Sequence, residues 1–516
     1  MLVLLYHGNN RLSSRSQKKD KRISFPSKMC LFCHQNAHPL AKADGICYNI
    51  ISFTESEAIV VQLTSPLFLF LFLPLALALF MLTPKRWRRG ALTAISLAWL
   101  VLANYGNPWD LLHIALTVAL AAMLSRYVTK ARVLAPIGAA CLVLSLITSR
   151  LLAALCSFYS YPTGLLFITL SGISLLFDKQ RGDTRQRDSL ADVLCYLLFF
   201  PTATLGPAVR YKHFLPLLRK ISPTPTRFCD GIRLYMLGFI KRIAVAAVFY
   251  RALDTVLNEA AEMPFIALPT ALLLAFLLFY FFVSGCADMA RGIAAMLGMR
   301  LPRDRANLLR ATSPHAMLYT LFFSVHRYLE DYLVQPILCH KDNKRTRAAT
   351  AVLSLLTFLM LLAPAPAAWL VSLPLLGTVL FSCLCGTAPQ KRHPAWHTLL
   401  FLLSALCTSF PALVVAAGDP RRVLSLLRAI FDGAAAHSYT FYFVVPDLQY
   451  ILIVITVFAL LTLLTQLYRR YSAFLAERTC FAVSILSTAL LFIGFLLSLL
   501  YIMPQFPQYA LSPFGM

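Results

Sequence analysis

The residues best placed to do chemistry lie in one stretch, 284–337. Its first half reads SGCADMARGIAAMLGM and carries Asp288 and Arg291 at the end of a long apolar run. Three residues apart, they share one face of a helix. After a basic break comes SPHAMLYTLFFSVHRYLEDYLVQPI. Its apolar positions Leu318, Leu321, Phe322, Val325, Leu329, Tyr332 and Leu333 make one helical stripe. The other face carries Thr320, Ser324, Arg327, Glu330 and Asp331. Charge at that density is costly against lipid, so the segment lies at an interface or packs in a bundle around water. His326 sits about one turn before Asp331, where a carboxylate can orient an imidazole and stabilise its charged form, as proton transfer requires. The structural alternatives stay open at each position. Arg327, four residues before Asp331, suits a bridge along the helix, and His326 suits packing.

The elements that must position these groups are membrane helices. The chain has 516 residues, 59% of them hydrophobic, and a mean hydropathy of +0.70. Those values predict an all-α polytopic integral membrane protein. About eleven or twelve spans of roughly 20 residues are expected, with amphipathic or re-entrant helices between them. No long soluble insert interrupts residues 60–516, which read as one membrane domain. The net charge of +25 belongs to short loops that set topology and meet anionic lipid, rather than to nucleic-acid binding. Basic loops at 84–89 and 126–132 place those loops in the cytoplasm and the start of the first span outside. The thirteen cysteines are scattered singly through apolar runs, as buried small hydrophobes are.

Residues 1–59 differ in character from the membrane domain. They are basic and hold Cys30, Cys33, His34, His38 and Cys47. The second ligand pair lacks a zinc-site spacing, so no metal site is expected. A basic extension outside conflicts with the positive-inside rule, and the natural protein is expected to start near Val60 or Val61.

Further along, LADVLCYLLFFPTATLGPAVRYKHFLPLL breaks a helix at Pro201 and again at Gly206-Pro207, just before Arg210. Non-helical backbone at membrane depth survives only where protein or water satisfies it, so this is a cavity wall or a span end with a cytoplasmic arginine. In GIRLYMLGFIKRIAVA, Lys241 and Arg242 fall mid-segment, which places that helix on or near the interface.

These blocks resemble the membrane-bound O-acyltransferases, in the bacterial branch of alginate O-acetylation and teichoic-acid D-alanylation proteins. SGCADMARGIAAMLGM is similar to that family's FSGYSDMAxGxAxLxGF, and YLEDYLVQPI to its WLRDYLYIPL. Phe199, Phe200, Pro201, Gly206, Pro207, Arg210, Phe214 and Pro216 fall on FFPxxxxGPIxRxxxFLPQL. Gly164 and Asp178 fall on LPxGISFxxFQxxSYxxD.

The resemblance implies a helical bundle around a central funnel, with a core at about 190–380. Gly206, Pro207, Arg210, Asp288, Arg291 and Arg327 would line that funnel. It implies transfer of an acyl group from a cytoplasmic thioester, acyl-CoA or an acyl carrier protein, to a hydroxyl of a glycan or glycolipid. The acyl donor is a cosubstrate, and no cofactor is tightly bound. The expected partners are membrane lipid, the donor and an extracytoplasmic acyltransferase, in a bacterial inner membrane. The family's two histidines fall on Ala365 and Phe322, neither of which takes a proton. His326, assisted by Asp331, is therefore the first choice of base, and His397 the second. Two other readings stand: a degenerate scaffold that binds acyl chains, lipid or protein, and a transporter, for which the paired broken helices of inverted repeats are not seen.

Overall fold

The computed structural model describes residues 63–129, 133–156, 159, 162–183, 188–203, 209–258, 267–302, 327–328 and 331–332. In the C-terminal part it describes 405, 409–410, 412–414, 416–417, 420–431 and 477–502. Some of the eleven or twelve expected spans fall outside these residues.

The described elements are helical. In order they are α1 (Phe68–Leu82), opening with a π turn, α2 (Arg88–Ala103), α3 (Pro108–Tyr127), α4 (Leu134–Leu155) and α5 (Leu165–Arg181). Then come α6 (Leu190–Leu197), α7 (Phe200–Ala203), α8 (Tyr211–Arg219), α9 (Pro225–Ile240), α10 (Ala247–Asn258), α11 (Ala267–Met296), α12 (Pro420–Phe431) and α13 (Glu477–Ile502). Among the described residues, three helices are long and apolar enough to cross a membrane: Pro108–Tyr127, Leu134–Ala153 and Ala267–Met296. Leu116, Leu144 and Leu151 on α3 and α4 turn outward, each more than half exposed. Such leucines suit lipid rather than water. The protein is an all-α polytopic membrane protein.

Polar groups inside this bundle are tied to one another, as a low-dielectric interior demands. Asn104, at the end of α2, accepts from the backbone N–H of Thr163 at 2.8 Å. His113 on α3 bonds Ser145 Oγ at 2.9 Å and the Tyr159 hydroxyl at 3.0 Å. Helix α6 starts at a capping box in which Ser189 and Asp192 satisfy each other's backbone N–H. The Asp192 carboxylate also meets Arg89 at 3.0 Å and Arg219 at 3.8 Å, fixing α2 and α8 to the α6 terminus. Pro201 comes just after the short break at the end of α6, and Phe200 packs there against Phe68, Phe72 and Trp99.

The closest packing joins α9 to α11. Gly231 and Gly238, two turns apart, face Gly292 and Gly285 of the other helix, so the pair is antiparallel. A Cβ on Gly238 would lie 2.6 Å from the Gly285 carbonyl oxygen and the Met289 nitrogen. A Cβ on Gly292 would lie 2.6 Å from the Tyr235 nitrogen. Small residues let two backbones touch in this way, and dispersion then replaces the hydrophobic drive that lipid does not supply. The segment carrying Lys241 and Arg242 thus packs lengthwise against α11 rather than lying along the interface. The π turn Lys241–Ala246 continues α9 and rotates the helix face beyond it, so that both cations face α11. Arg242 is buried, with Nη1 donating to Cys286 Sγ at 3.5 Å and its guanidinium 5.0 Å from the Phe282 ring. The sequence suggested an interface because it shows two charges but not the partners that satisfy them.

A methyl at Gly238 must push two backbones apart, and overpacking of this kind costs about 1–3 kcal/mol or more. Gly238→Ala should therefore lower the thermal midpoint by several degrees in detergent. Gly90→Ala, where nothing lies within 4 Å, should leave it unchanged or slightly raised, because alanine is the better helix former. Equal midpoints for the two variants would refute the close seam.

Candidate functional site

Two ion clusters hold the charged residues singled out in the sequence. The first lies on the α9–α11 seam. The Asp288 carboxylate accepts from Lys241 Nζ and, at 3.0 Å, from Arg291 Nη1. Lys241 also donates to Ser284 Oγ at 3.0 Å. Asp288 and Arg291 pair directly along one helix face. Lys241 is the member that sequence reading missed, because its match with Asp288 depends on the antiparallel register set by the glycines.

The second cluster gathers α5, α8, Arg327 and the Asp331–Tyr332 pair. Arg210, the residue before α8, forms an ion pair with Asp331 and donates to the Arg327 carbonyl at 3.3 Å. The Asp331 carboxylate thus meets a cation from another element, and Arg327 supplies its backbone to the same guanidinium. Arg181, in the last turn of α5, donates to the Asp331 carbonyl at 2.6 Å and lies 5.4 Å from the Tyr332 ring. Two matched blocks far apart in sequence, one holding Arg210 and the other Asp331, therefore meet side chain to side chain.

Behind that pair lies Asp178, fully buried. Its carboxylate accepts from the Tyr332 hydroxyl at 2.7 Å and from the Lys212 backbone N–H at 2.9 Å. Ser174, one turn earlier on α5, accepts from the Tyr211 backbone N–H at 3.0 Å and donates to the Tyr332 oxygen at 2.9 Å. Each polar group thus has a partner, which burial requires. Tyr328 and Tyr332 sit one turn apart with ring centroids 4.7 Å apart, and the Tyr328 hydroxyl donates to the Leu170 carbonyl. Asp178 closes a family-like segment in the sequence, but neither its depth nor its partners could be read there.

The outer rim is set by the loop after α5. Gly182, with φ +70°, caps that helix by donating to the Asp178 and Lys179 carbonyls and turns the chain. Asp183 then pairs with Lys212 at 3.0 Å. Asp188 pairs with Lys179 at 2.8 Å and accepts from the Tyr211 hydroxyl. Burial raises the Asp188 carboxyl, but the Lys179 and Tyr211 hydrogen bonds and the Lys179 charge outweigh it. The group titrates below its ordinary value. The His213 imidazole is also held below its ordinary value. Burial first, then the charges of Arg210 and Lys212, push it down against the opposite pull of Asp178 and Asp331. It is a neutral imidazole at neutral pH, beside the matched Arg210, and the sequence pattern gave no reason to single it out.

Among the described residues, no three His, Cys, Asp or Glu side chains converge as a metal site. Gly206, Pro207, His326, Glu330, Phe322, Ala365 and His397 lie outside the described residues.

Reversing one member of the Arg210–Asp331 pair leaves like charges in contact. Arg210→Asp and Asp331→Arg should each lower stability, by about 1–3 kcal/mol, and the double variant should recover part of the loss. Additive losses would mean that the contact does not couple the two blocks. Asp188 gives a pH test. Its folded pKa is depressed, so its contribution is present above the unfolded carboxyl value near 3.9 and is lost as pH falls through the folded value. Asp188→Asn should thus cost stability at pH 7, and that cost should shrink as pH falls below the ordinary carboxyl range. A thermal-shift series across pH reads both limits.

No family model matches this chain. It is 28% identical over 178 residues to a probable alginate O-acetylase of Pseudomonas aeruginosa, and 29% identical over 178 residues to one of Pseudomonas putida. It is 25% identical over 150 residues to a peptidoglycan O-acetyltransferase of Helicobacter pylori. The first two alignments cover 33% of this chain and 33% and 35% of the relatives, and the third covers 28% of each. The chain thus spans about a third of the length of the curated relatives it matches. With its all-α polytopic fold and the resemblance of its motif blocks, the chain is a divergent relative of the membrane-bound O-acyltransferases.

Proposed function

We propose that this protein is a membrane O-acyltransferase that moves an acyl group from a thioester to a hydroxyl of a glycan or glycolipid. One observation carries the reading: the Arg210–Asp331 contact joins two family-like blocks around the buried Asp178. The names of the matched relatives, O-acetylases of alginate and peptidoglycan, support glycan as the acceptor class. With loops 84–89 and 126–132 in the cytoplasm, alternation brings the C-terminal end of α5 to the cytoplasmic face. Arg181, Arg210 and Lys212 then flank a mouth suited to the phosphates of coenzyme A or of a carrier protein's phosphopantetheine. An inner-membrane location follows from that orientation in a bacterium.

The reaction needs a proton acceptor for the attacking hydroxyl and a polar site for the developing oxyanion. We assign the first role to His326, oriented by Asp331. The acceptor oxygen attacks the thioester carbonyl, its proton passes to His326, and the departing thiolate receives a proton in turn. Gly206, Pro207, Arg210, Asp288, Arg291 and Arg327 are assigned to the funnel through which donor and acceptor approach. The acceptor side would be served by an extracytoplasmic acyltransferase partner. A scaffold without catalysis is the second reading, favoured by Ala365 and Phe322 at the family's histidine positions.

Membranes containing the full chain should transfer acyl label from acetyl-coenzyme A, or from an acetylated carrier protein, to the cell's glycan fraction. His326→Ala should reduce transfer by about 10²–10⁴-fold at unchanged abundance. Transfer that survives in both His326→Ala and His397→Ala would remove these histidines from the mechanism and turn the search to His213. No transfer from either donor by the unaltered protein would establish the scaffold reading instead.

A further inference from the structure

Helix α12 takes no part in either ion cluster. Its sequence, PRRVLSLLRAIF, holds three arginines and no acid. Val423 and Leu426, one turn apart, are fully buried and seat the helix on α10 and α11. Arg422 locks that seat. Its Nη2 donates to Asp254 Oδ1 at 2.7 Å and to Asn258 Oδ1 in the last turn of α10. The opposite stripe is made by Arg421, Leu424, Ser425 and Arg428, which share one helix face by their spacing and are all exposed. The two arginines of that stripe lie two turns apart, about 10.5 Å along the axis. Leu424, between them, is 47% exposed.

The depth of α12 in the membrane follows from α10. Helix α9, the π turn and α10 run without a break from Pro225 to Asn258. Such a column is about 50 Å long, more than the roughly 30 Å of the hydrocarbon layer. It starts just after α8, at the end of the bundle that holds the Arg210–Asp331 cluster. Asp254 and Asn258 therefore lie near the opposite membrane surface, and α12 with them. With the cluster end in the cytoplasm, that surface is extracytoplasmic. Arginine on that side runs against the positive-inside tendency, so topology does not account for three of them in one short helix. An anion does. A guanidinium can donate two parallel N–H bonds to phosphate oxygens, and an interfacial helix carries such groups at the level of the lipid headgroups. A soluble polyanion would pair with the arginines but leave Leu424 in water, whereas a lipid covers both.

We propose that the Arg421–Leu424–Ser425–Arg428 stripe is a docking surface for anionic phospholipid of the outer leaflet. The headgroup phosphates lie on the two arginines and the upper acyl chain on Leu424. Lipid docking here is independent of acyl transfer and uses only the orientation set by the basic loops.

The test places the photo-reactive residue p-benzoylphenylalanine at position 425 of the full chain. The protein is set in nanodiscs that mix phosphatidylglycerol and phosphatidylcholine, with one or the other lipid radiolabelled. Crosslinking should favour phosphatidylglycerol at least about tenfold, since each arginine at an anionic surface is worth about fivefold. Arg428→Gln should cut the preference about fivefold, and the double variant Arg421→Gln/Arg428→Gln should abolish it. Both replace exposed side chains and should fold as the unaltered protein does. Lys85→Gln, in the loop at the other membrane face, should leave the preference unchanged. Equal labelling by the two lipids would overturn the proposal, as would a preference that persists in the double variant. Loss of the crosslink on adding a soluble oligouronate would also overturn it and assign the stripe to an acidic glycan. A crosslink to neither lipid would place the stripe away from the bilayer and refute lipid docking outright.

Discussion

Backbone contact between α9 and α11 is the constraint on which the rest of the described core depends. Four glycines let the helices approach until a single methyl would overlap a carbonyl. Only at that separation does Lys241 reach Asp288 while Arg291 holds the other carboxylate oxygen. In lipid, apolar surface gains little by leaving one hydrocarbon environment for another, so close packing and interhelical hydrogen bonds must do the joining. The ion cluster is then both glue and register mark, since sliding the helices by one turn would separate its members by about 5.4 Å. Helix α13 extends the same core, with Phe495 edge-on to Phe239 of α9.

The second cluster obeys the same logic with longer reach through the sequence. Asp178 cannot be buried alone, and α5 by itself has only Ser174 near enough to help. Its partners come from α8 and from Tyr332, so burial of one carboxylate organises three segments. Around it, ion pairs at the rim fix the loop after α5 against α8. Charged groups at the end of a membrane bundle are expensive unless they are paired or wet, and groups kept under that condition mark the place where polar substrates approach.

Relatedness and geometry speak to different parts of this picture. The alignments to O-acetylases cover a third of each chain. They support a likeness to membrane-bound O-acyltransferases. The cluster geometry supports a convergence of Arg210, Asp331 and Asp178.

The sequence alone determined the class and much of the outline. Uninterrupted apolar runs of span length have one stable solution in lipid, because each helix satisfies its own backbone within the segment. Hence the long apolar run that ends at Asp288 and Arg291 is the helix α11, and α3 and α4 are likewise long and apolar enough to span. The Asp288–Arg291 pair was legible too, since both members sit on one helix three residues apart. What the sequence left open were the contacts between elements. Spacing along one helix offered Arg327 to Asp331, but it could not show that Arg210, from another element, reaches the same carboxylate. Lys241 and Arg242 read as an interfacial pair, yet they pack against α11. Lys212 and Tyr332 gave no sign that they would satisfy Asp178. Local periodicity fixes which face a residue occupies but not which face of another helix it will meet. That choice was made by the tertiary structure, where glycine contact set the spacing and each buried charge had to find its counterpart across it.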